Sequence, residues 1–528
     1  MTLLLRNLAL ALGRDETELA SAAAVELGID ADDLEIRAIV RKSLDARRRR
    51  EPRFLYTLAL ELAPELETEL LRREPSQVEP FVPPRRVEVR AVASGRGPEP
   101  VVVGSGPAGL FAAWRLVEAG WTPIVVERGP DVTERTKRWN RFLRGDVFDP
   151  ESNLLFGEGG AGAYSDGKLY TRIRDPRVHE VLEILAASGA PRSILYDAKP
   201  HIGSNLLPSV VRRMRRSLVD RGAEFRFSTR MTRLIGEAGR IRGVELEPGG
   251  ELETHAVFLG LGHSARETIR SLDHDGVAME RKPFQIGVRI EHPQEVINRM
   301  QYGAHSGHPL LPPADYRLVA GLPGGDLFSF CMCPGGEILP ATEKPGFICV
   351  NGASALGRRG RFANSGFVIT LEPDRFPGRG TLAGIELQEE IEARAASLAE
   401  HPFGAPALRL GDFVGGRVTT GGIPESSYPL TLTAAPFEEF LPPFVVDAVR
   451  AGLTKLCDRL PILRHPDAVI VGPESRSSCP VRIVRDGDSL QSPAFAGLYP
   501  MGEGAGYAGG IVSAAIDGMR CAEAFLDH

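Results

Sequence analysis

Apolar and polar positions alternate over residues 3–12, with Leu8, Leu10 and Leu12 on one side, and the same period of two returns over 34–41 and 54–62. That period places successive side chains on opposite faces of a strand. Residues 16–27 read as a helix, with Asp15 as N-cap and Gly28 as stop, and 65–73 as a second helix. These elements predict a small α+β domain over residues 1–75. Residues 76–99 follow as a linker, kept extended by Pro80, Pro83, Pro84 and Pro98 and loosened by Gly95 and Gly97. The texture then changes. Val101, Val102 and Val103 form an unbroken β-branched run, as in a strand buried on both faces. A helix carries Leu110, Ala113, Leu116 and Val117 inward and stops at Gly120, and Ile124, Val125 and Val126 form a second strand. A polar stretch runs on to Pro150. An amphipathic helix covers 209–222, short strands cover 225–227, 231–235, 241–246 and 257–261, and a strand near 497 leads into a last helix over 511–526. Between 281 and 462 strands such as 286–290 and 328–332 are separated by long Pro/Gly-rich loops, with helices at 383–398 and 445–456. The whole predicts an α/β fold built from 100–280 and 463–528, interrupted by a β-rich insertion over 281–462.

The turn after Val103 reads Gly104-Ser105-Gly106-Pro107-Ala108-Gly109, a G-x-G-x-x-G. The first glycine permits a sharp turn, the second a close approach to a pyrophosphate, and the third tight packing of helix on strand. Pro107 suits the first helical position, where its missing N–H would be unpaired anyway. Glu127 ends the second strand 18 residues after Gly109, followed by Arg128; a carboxylate there accepts ribose hydroxyls while the helix start takes the phosphates. This is a Rossmann-like dinucleotide site, and the motif alone does not separate FAD from NAD(P). A second glycine run, 157–167, includes Gly159 and Gly160 and implies backbone lying close against a ligand.

Composition narrows the class without choosing a reaction. The 528 residues are 43% hydrophobic and 25% charged, ordinary for a globular protein, and a net charge of −6 argues against bulk nucleic-acid binding. Six cysteines with no regular framework fit a reducing cytoplasm. Arg6 and Asn7 interrupt the apolar start, so no signal peptide is read there, and no apolar run is long enough for a membrane-spanning helix.

Three separated segments share one logic: the fingerprint, the Gly260-Leu261-Gly262 turn, and Gly502-Glu503 before Gly509, Gly510 and Ile511. This arrangement resembles the FAD-binding fold of the glutathione-reductase type. The resemblance implies that the Glu503 carboxylate meets the ribityl hydroxyls and that the helix start at Gly509, Gly510 and Ile511 points at the flavin. A helix N-terminus would stabilise negative charge developing there on reduction. A second G-x-G-x-x-G and a C-x-x-C or C-x₄-C redox pair, as in two-nucleotide disulfide reductases, are absent from the sequence. More closely, the segments at 40–47, 159–169, 199–203, 262–266, 287–293, 330–336 and 502–510 make the chain similar to a bacterial group of uncharacterised FAD-dependent dehydrogenases, also called NAD(FAD)-utilising dehydrogenases. The similarity extends over nearly the whole chain. It implies FAD, a Rossmann-like FAD-binding domain with an inserted substrate or cap domain, an unspecified small-molecule substrate, and NAD(P)H as an electron partner. Met231, Gly262 and the glycines named above are the expected cofactor contacts. The resemblance expects serine where this chain has Cys479, which argues against an essential thiol there.

Beyond the flavin, His201 and His263 are candidate proton donors, each in a loop adjoining the core fold. Lys168, after the glycine run, is a candidate for stabilising an anionic reduced flavin. Arg289 and Glu291 share one face of a strand and read as a solvated pair or a substrate clamp. Arg358, Arg359, Arg361 and Asn364 read as a solvated loop or a phosphate site. Cys331 and Cys333, two apart, read as buried thiols, because a disulfide across one residue of a strand is geometrically poor and two ligands do not complete a metal site. The basic run 47–50 leaves open a protein partner for the N-terminal domain. The leading expectation is a flavoenzyme passing a hydride through flavin N5. A flavin monooxygenase and a flavin-loaded regulatory protein are the alternatives.

Overall fold

The computed structural model describes residues 2–47, 51–73, 78–89 and 97–527. Parts of the expected basic run (48–50) and linker (74–77, 90–96) lie outside the described residues. Three sheets carry the three expected units. The first is antiparallel, ordered Leu34–Asp45, Arg53–Leu62, Thr2–Ala11, Val78–Pro80. Its helix Leu19–Leu27 is entered through a single turn whose cap, Asp15, closes a capping box with Glu18, and Gly28 ends it in the left-handed conformation at φ 67°. The boundary expected at 75 needs correction. Val78–Pro80 pairs with the first strand across Leu3, Leu4 and Leu5; proline at its end is tolerated because the strand lies at the sheet edge. Nor is this domain free-standing. The Lys42 N–H donates to the Tyr196 carbonyl and its own carbonyl accepts from Ala198, both at 2.8 Å.

The second sheet is wholly parallel, ordered Leu498–Pro500, Val257–Leu259, Val101–Val103, Ile124–Val126, Glu224–Arg226. Alternation divides its core. Val102 and Val125 face the helices Pro107–Glu118, Leu207–Val219 and Ile511–Leu526, whereas Val101, Val103 and Val126 face a three-stranded meander from Arg230–Glu237 to Gly250–Glu253. The stretch expected to be merely polar before Pro150 contains a helix, Val132–Phe142, capped by Asp131 and buried along Val132, Arg135, Trp139 and Phe142. Its dense charge on the outer face obscures a regular helical period.

The third sheet is the insertion's, built around Phe284–Pro293, which pairs with Phe362–Leu371 on one side and Val469–Glu474 on the other. The boundary expected at 462 is therefore too early: Val469–Glu474 completes this sheet, and the chain rejoins the first domain at Val481–Ile483, paired with Met279–Arg281. A short apolar run carries no mark of which sheet it will join. The same central position corrects the reading of Arg289 and Glu291 as solvated. Both are buried; Arg289 donates to both oxygens of Glu474 at 2.9 and 2.7 Å, and Glu291 accepts from Ser427.

Several carboxylates join the two large domains, among them Glu343, Glu389 and Asp166, and one is shared most widely. Glu392, on the insertion's helix Ala383–Ser397 and 0% exposed, accepts from Arg266 of the parallel-sheet domain at 2.8 and 2.9 Å. It also accepts from Arg476 on the returning chain (Nε at 2.9 Å) and from Ser475 at 2.6 Å. Burial works against its charge, but the two guanidinium groups hold it ionised far below the usual carboxylate range. Glu392→Ala should cost about 3–5 kcal/mol, because two buried guanidinium groups are left with Glu343 alone as a shared carboxylate; urea unfolding of the variant checks this.

The helices Pro107–Glu118 and Ile511–Leu526 approach closely because small residues line their contact. A Cβ on Gly518 would lie 2.1 Å from the Ala108 carbonyl oxygen. Alanine in a helix interior ordinarily stabilises by up to about 1 kcal/mol relative to glycine. Gly518→Ala should do the reverse, costing roughly 1–3 kcal/mol through overpacking. Gly411→Ala, in a helix where the added Cβ meets nothing within 4 Å, should be neutral or stabilising. The two denaturation midpoints, moving in opposite directions or not, decide it.

Candidate functional site

A parallel sheet gathers the loops that follow its strands at one edge. Here four glycine-bearing segments meet there in van der Waals contact. A Cβ on Gly104 would lie 2.4 Å from the Gly260 oxygen, one on Gly504 2.5 Å from the Gly262 oxygen, and one on Gly160 3.2 Å from the Gly106 Cα. Gly109 would meet the Gly104 oxygen at 1.8 Å, so the third glycine of the fingerprint is required for the helix to seat on its own strand. Pro107 occupies the first helical position as expected, and Gly162 of the second glycine run lies against Pro107 and Ile511. Gly502 turns at φ 73°, its N–H held by Asp517 at 2.8 Å. Gly509 and Gly510 are exposed at the start of the last helix.

The acidic residue of the fingerprint works differently from the expectation. Glu127 accepts from the Ser105 N–H and hydroxyl at 3.0 and 2.8 Å, from Gly129 at 3.0 Å and from Gly157 at 3.1 Å. A carboxylate offers about four acceptor positions, so Glu127 is already filled and ties the two glycine loops together. Arg128 is likewise engaged, bidentate with Glu151 at 2.6 and 2.8 Å and stacked on Phe156. Met231 is a core side chain packed with Val103 and Val126 beneath the sheet.

Sequence reasoning missed Arg135. Its guanidinium is buried and donates to the carbonyls of Asn153, Gly157, Glu158 and Gly160 at 2.8–3.1 Å, which fixes the second glycine loop from behind. The available signal was the spacing Val132, Arg135, Trp139, Phe142 after the Asp131 cap. Two polar groups of these segments lack a hydrogen-bond partner among the described residues, one buried and one half-exposed. The Arg135 Nη2 has no acceptor among the described residues. The Glu503 side chain makes no hydrogen bond to a described residue; burial pushes its carboxyl up to about 7, offset only by the Lys282 amine. A polyhydroxylated dinucleotide supplies the complement of the second: hydroxyl donors for a carboxylate.

The catalytic candidates separate into two groups. Lys168 and His201 are brought together, since 167–169 and 200–202 pair antiparallel: Leu169 donates to the Pro200 carbonyl at 2.9 Å and Ile202 to that of Gly167 at 3.1 Å. The His201 Nε2 donates to the Leu356 carbonyl at 3.1 Å, and burial and Arg358 lower its basicity. This loop is pressed onto the insertion, because a Cβ on Gly203 would meet the Leu356 nitrogen at 2.1 Å. Asp166 completes the seam. It accepts from Ser354 and from Arg358 at 2.8 Å and lies 3.1 Å from the Lys168 amine. Burial raises its pKa, but Lys168 and Arg358 bring it down to about 2. Arg358 therefore neutralises a buried carboxylate rather than awaiting a phosphate, and Arg361 pairs with Glu425. His263 lies elsewhere, hydrogen-bonded to the Ser264 hydroxyl at 2.8 Å near the Glu392 junction; burial, Arg476 and Arg266 push it down to about 4, so the imidazole is neutral near pH 7.

Among the described residues no helix is long and apolar enough to cross a membrane. Three family models match the chain: a domain of unknown function (DUF8436) at residues 4–61, an NAD(P)-binding Rossmann-like domain at 102–162, and the FAD-dependent protein, C-terminal domain-like family at 283–477. The last span includes the return strand Val469–Glu474, in agreement with the sheet. A geranylgeranyl bacteriochlorophyll reductase-like protein from Thermoplasma acidophilum aligns at 12% identity and TM-score 0.34 over 81% of this chain and 78% of its own. A glycine oxidase from Bacillus cereus aligns at 11% identity and TM-score 0.31 over 82% and 97%. An uncharacterized protein of Clostridium beijerinckii is 38% identical over 100% of this chain and 99% of its own. The chain belongs to the same family as that Clostridium protein, with a Rossmann-like nucleotide-binding domain and the C-terminal domain of FAD-dependent proteins.

Proposed function

We propose that the chain is an FAD-dependent oxidoreductase that passes a hydride through flavin N5, with NAD(P)H as electron partner and a small-molecule substrate at the seam between the two large domains. One observation carries this reading: four glycine segments converge at the edge of the parallel sheet beside a carboxylate, Glu503, that accepts no hydrogen bond from a described residue. FAD, when bound, supplies the two-electron chemistry. The residues of the chain bind and orient it. Glu503 takes ribityl hydroxyls, the fingerprint N–H groups take the pyrophosphate, and Glu127 and Arg135 hold the two glycine loops at the spacing that admits it. The start of the last helix at Gly510 offers N–H groups toward developing negative charge. His201 is the proton-handling residue. It shares the seam with Lys168, whereas His263 serves the interdomain junction.

Binding should depend on pH in a direction fixed by Glu503. Its carboxyl titrates near 7 without ligand, and hydroxyl donors favour the ionised form. FAD binding should therefore expel a proton and weaken as pH falls below 7, by about fivefold between pH 8 and 6 and by up to about tenfold at lower pH for one unit of displaced pKa. Glu503→Gln should bind more weakly and show no such slope. Fluorescence titration of the apoprotein with FAD measures both, and parallel profiles would remove Glu503 from the site. The reaction itself is tested by anaerobic mixing of the FAD-loaded protein with NADH or NADPH, followed by flavin bleaching. His201→Gln should keep its FAD content and slow oxidation of the reduced flavin by substrate or, in the reverse direction, its reduction. Failure of both nucleotides to bleach the flavin would favour a regulatory flavoprotein.

A further inference from the structure

The strand Leu327–Pro340 does not run straight. Its register against Phe362–Leu371 slips between Phe330 and Cys333, and Cys331 sits at φ 43°, a conformation that non-glycine residues adopt at a cost and that recurs at functional sites. The bend has a chemical result. The Cys333 side chain curls back so that its Sγ lies 3.3 Å from the Cys331 carbonyl oxygen, and the Lys168 amine reaches both sulfurs, at 3.8 Å from Cys331 and 3.7 Å from Cys333. The two thiols are not equivalent. Cys331 is the one cysteine of the six that is partly exposed; Cys333, Cys349, Cys457, Cys479 and Cys521 are buried. The adjoining Cys333 thiol, with the Lys168 and Arg289 cations, holds the Cys331 thiol well below its usual range, against burial and Asp166. The same contact, with burial, pushes Cys333 up. Glu474, paired to Arg289, and Tyr170 complete the titratable groups that face Cys331. By contrast, burial pushes the Cys479 thiol up to about 11, as befits an inert side chain.

We propose that Cys331 and Cys333 form a dithiol redox centre that reacts with disulfides, with Cys331 the attacking thiolate, Cys333 the resolving thiol and Lys168 the cation that carries the charge between them. The Cys331 thiolate attacks one sulfur of the disulfide, forming a mixed disulfide and expelling the first thiolate. Cys333 then loses its proton and attacks the Cys331 Sγ, expelling the second. The chain is oxidised by two electrons to a Cys331–Cys333 disulfide, and the disulfide is reduced to two thiols. An accessible, acidic attacking thiol beside a buried, less acidic one is the asymmetry such an exchange requires. The bulge and the left-handed Cys331 supply the bend that a straight strand denies to cysteines one residue apart. This reading concerns thiols of the chain itself and stands whether or not the flavin proposal does.

The test uses the full-length protein and dithiodipyridine as the disulfide, with each product located by peptide mass mapping. The wild type should release two thiopyridones per chain with fast kinetics, retain no pyridyl adduct, and contain a Cys331–Cys333 crosslink. Cys333→Ser should release one and keep a stable adduct on Cys331. Lys168→Met should slow the first release at neutral pH by about threefold per unit of thiol pKa, since the thiolate fraction falls up to about tenfold while its nucleophilicity rises about threefold, and Lys168→Arg should restore it. A persistent Cys331 adduct in the wild type overturns the resolving role of Cys333. A Cys331 that reacts no faster in the wild type than in Lys168→Met overturns the role of Lys168. If Lys168→Met does not fold, the comparison of wild type with Cys333→Ser still decides whether the pair is a redox centre.

Discussion

The geometry of this protein rests on a charge that water never reaches. Glu392 is shared by Arg266 from one large domain and Arg476 from the chain returning to it, so the seam between domains is set by hydrogen-bond lengths rather than by apolar contact alone. Ions buried this way gain little net stability over a hydrophobic pair, but they are intolerant of misalignment. A hydrophobic seam could slide by a fraction of a side chain; a carboxylate between two guanidinium groups cannot. The placement of Lys168, His201 and Asp166 against Ser354, Leu356 and Arg358 across the same seam inherits that precision.

Much of the nucleotide-binding domain was legible because its signals are local. The run Val101–Val103, the glycines of the fingerprint, the Pro107 helix start and the strand Ile124–Val126 each follow from steric rules that act within a few residues. What could not be read was partnership. Glu127 was visible as an acidic residue at a strand end, but not that Ser105, Gly129 and Gly157 fill its oxygens. Arg135 looked like one charge among many in a polar stretch, since nothing in the sequence says that its acceptors are carbonyls of a loop some twenty residues on. Arg289 and Glu291 misled for the same reason: a strand with charges on one face reads as half-exposed until its neighbours on both sides are known. The two domain boundaries erred because Val78–Pro80 and Val469–Glu474 are claimed by sheets whose other strands are distant in the chain.

The glycine segments and the polar groups around them divide the work. Glycines create room by removing Cβ atoms where four backbones meet, while Glu127 and Arg135 prevent that room from collapsing. One gathers N–H groups and the other carbonyls, so between them the two glycine loops are held by side chains at both polarities. Glu503 and the free N–H of Arg135 are the groups this scaffold leaves over.

The return of the chain through both large domains constrains its synthesis. The insertion's sheet is completed by Val469–Glu474 and the parallel sheet by Leu498–Pro500. A ribosome must therefore reach Glu474 before the insertion's sheet can close and Pro500 before the parallel sheet can, and the exposed edges of both sheets wait meanwhile for partners not yet made. The N-terminal sheet can finish early, since its last strand is Val78–Pro80, and so can the meander that ends at Glu253. A chain cut before Val469 thus lacks a strand of both large domains, whereas one cut between Glu474 and Leu498 leaves the insertion's sheet whole and opens the parallel sheet alone.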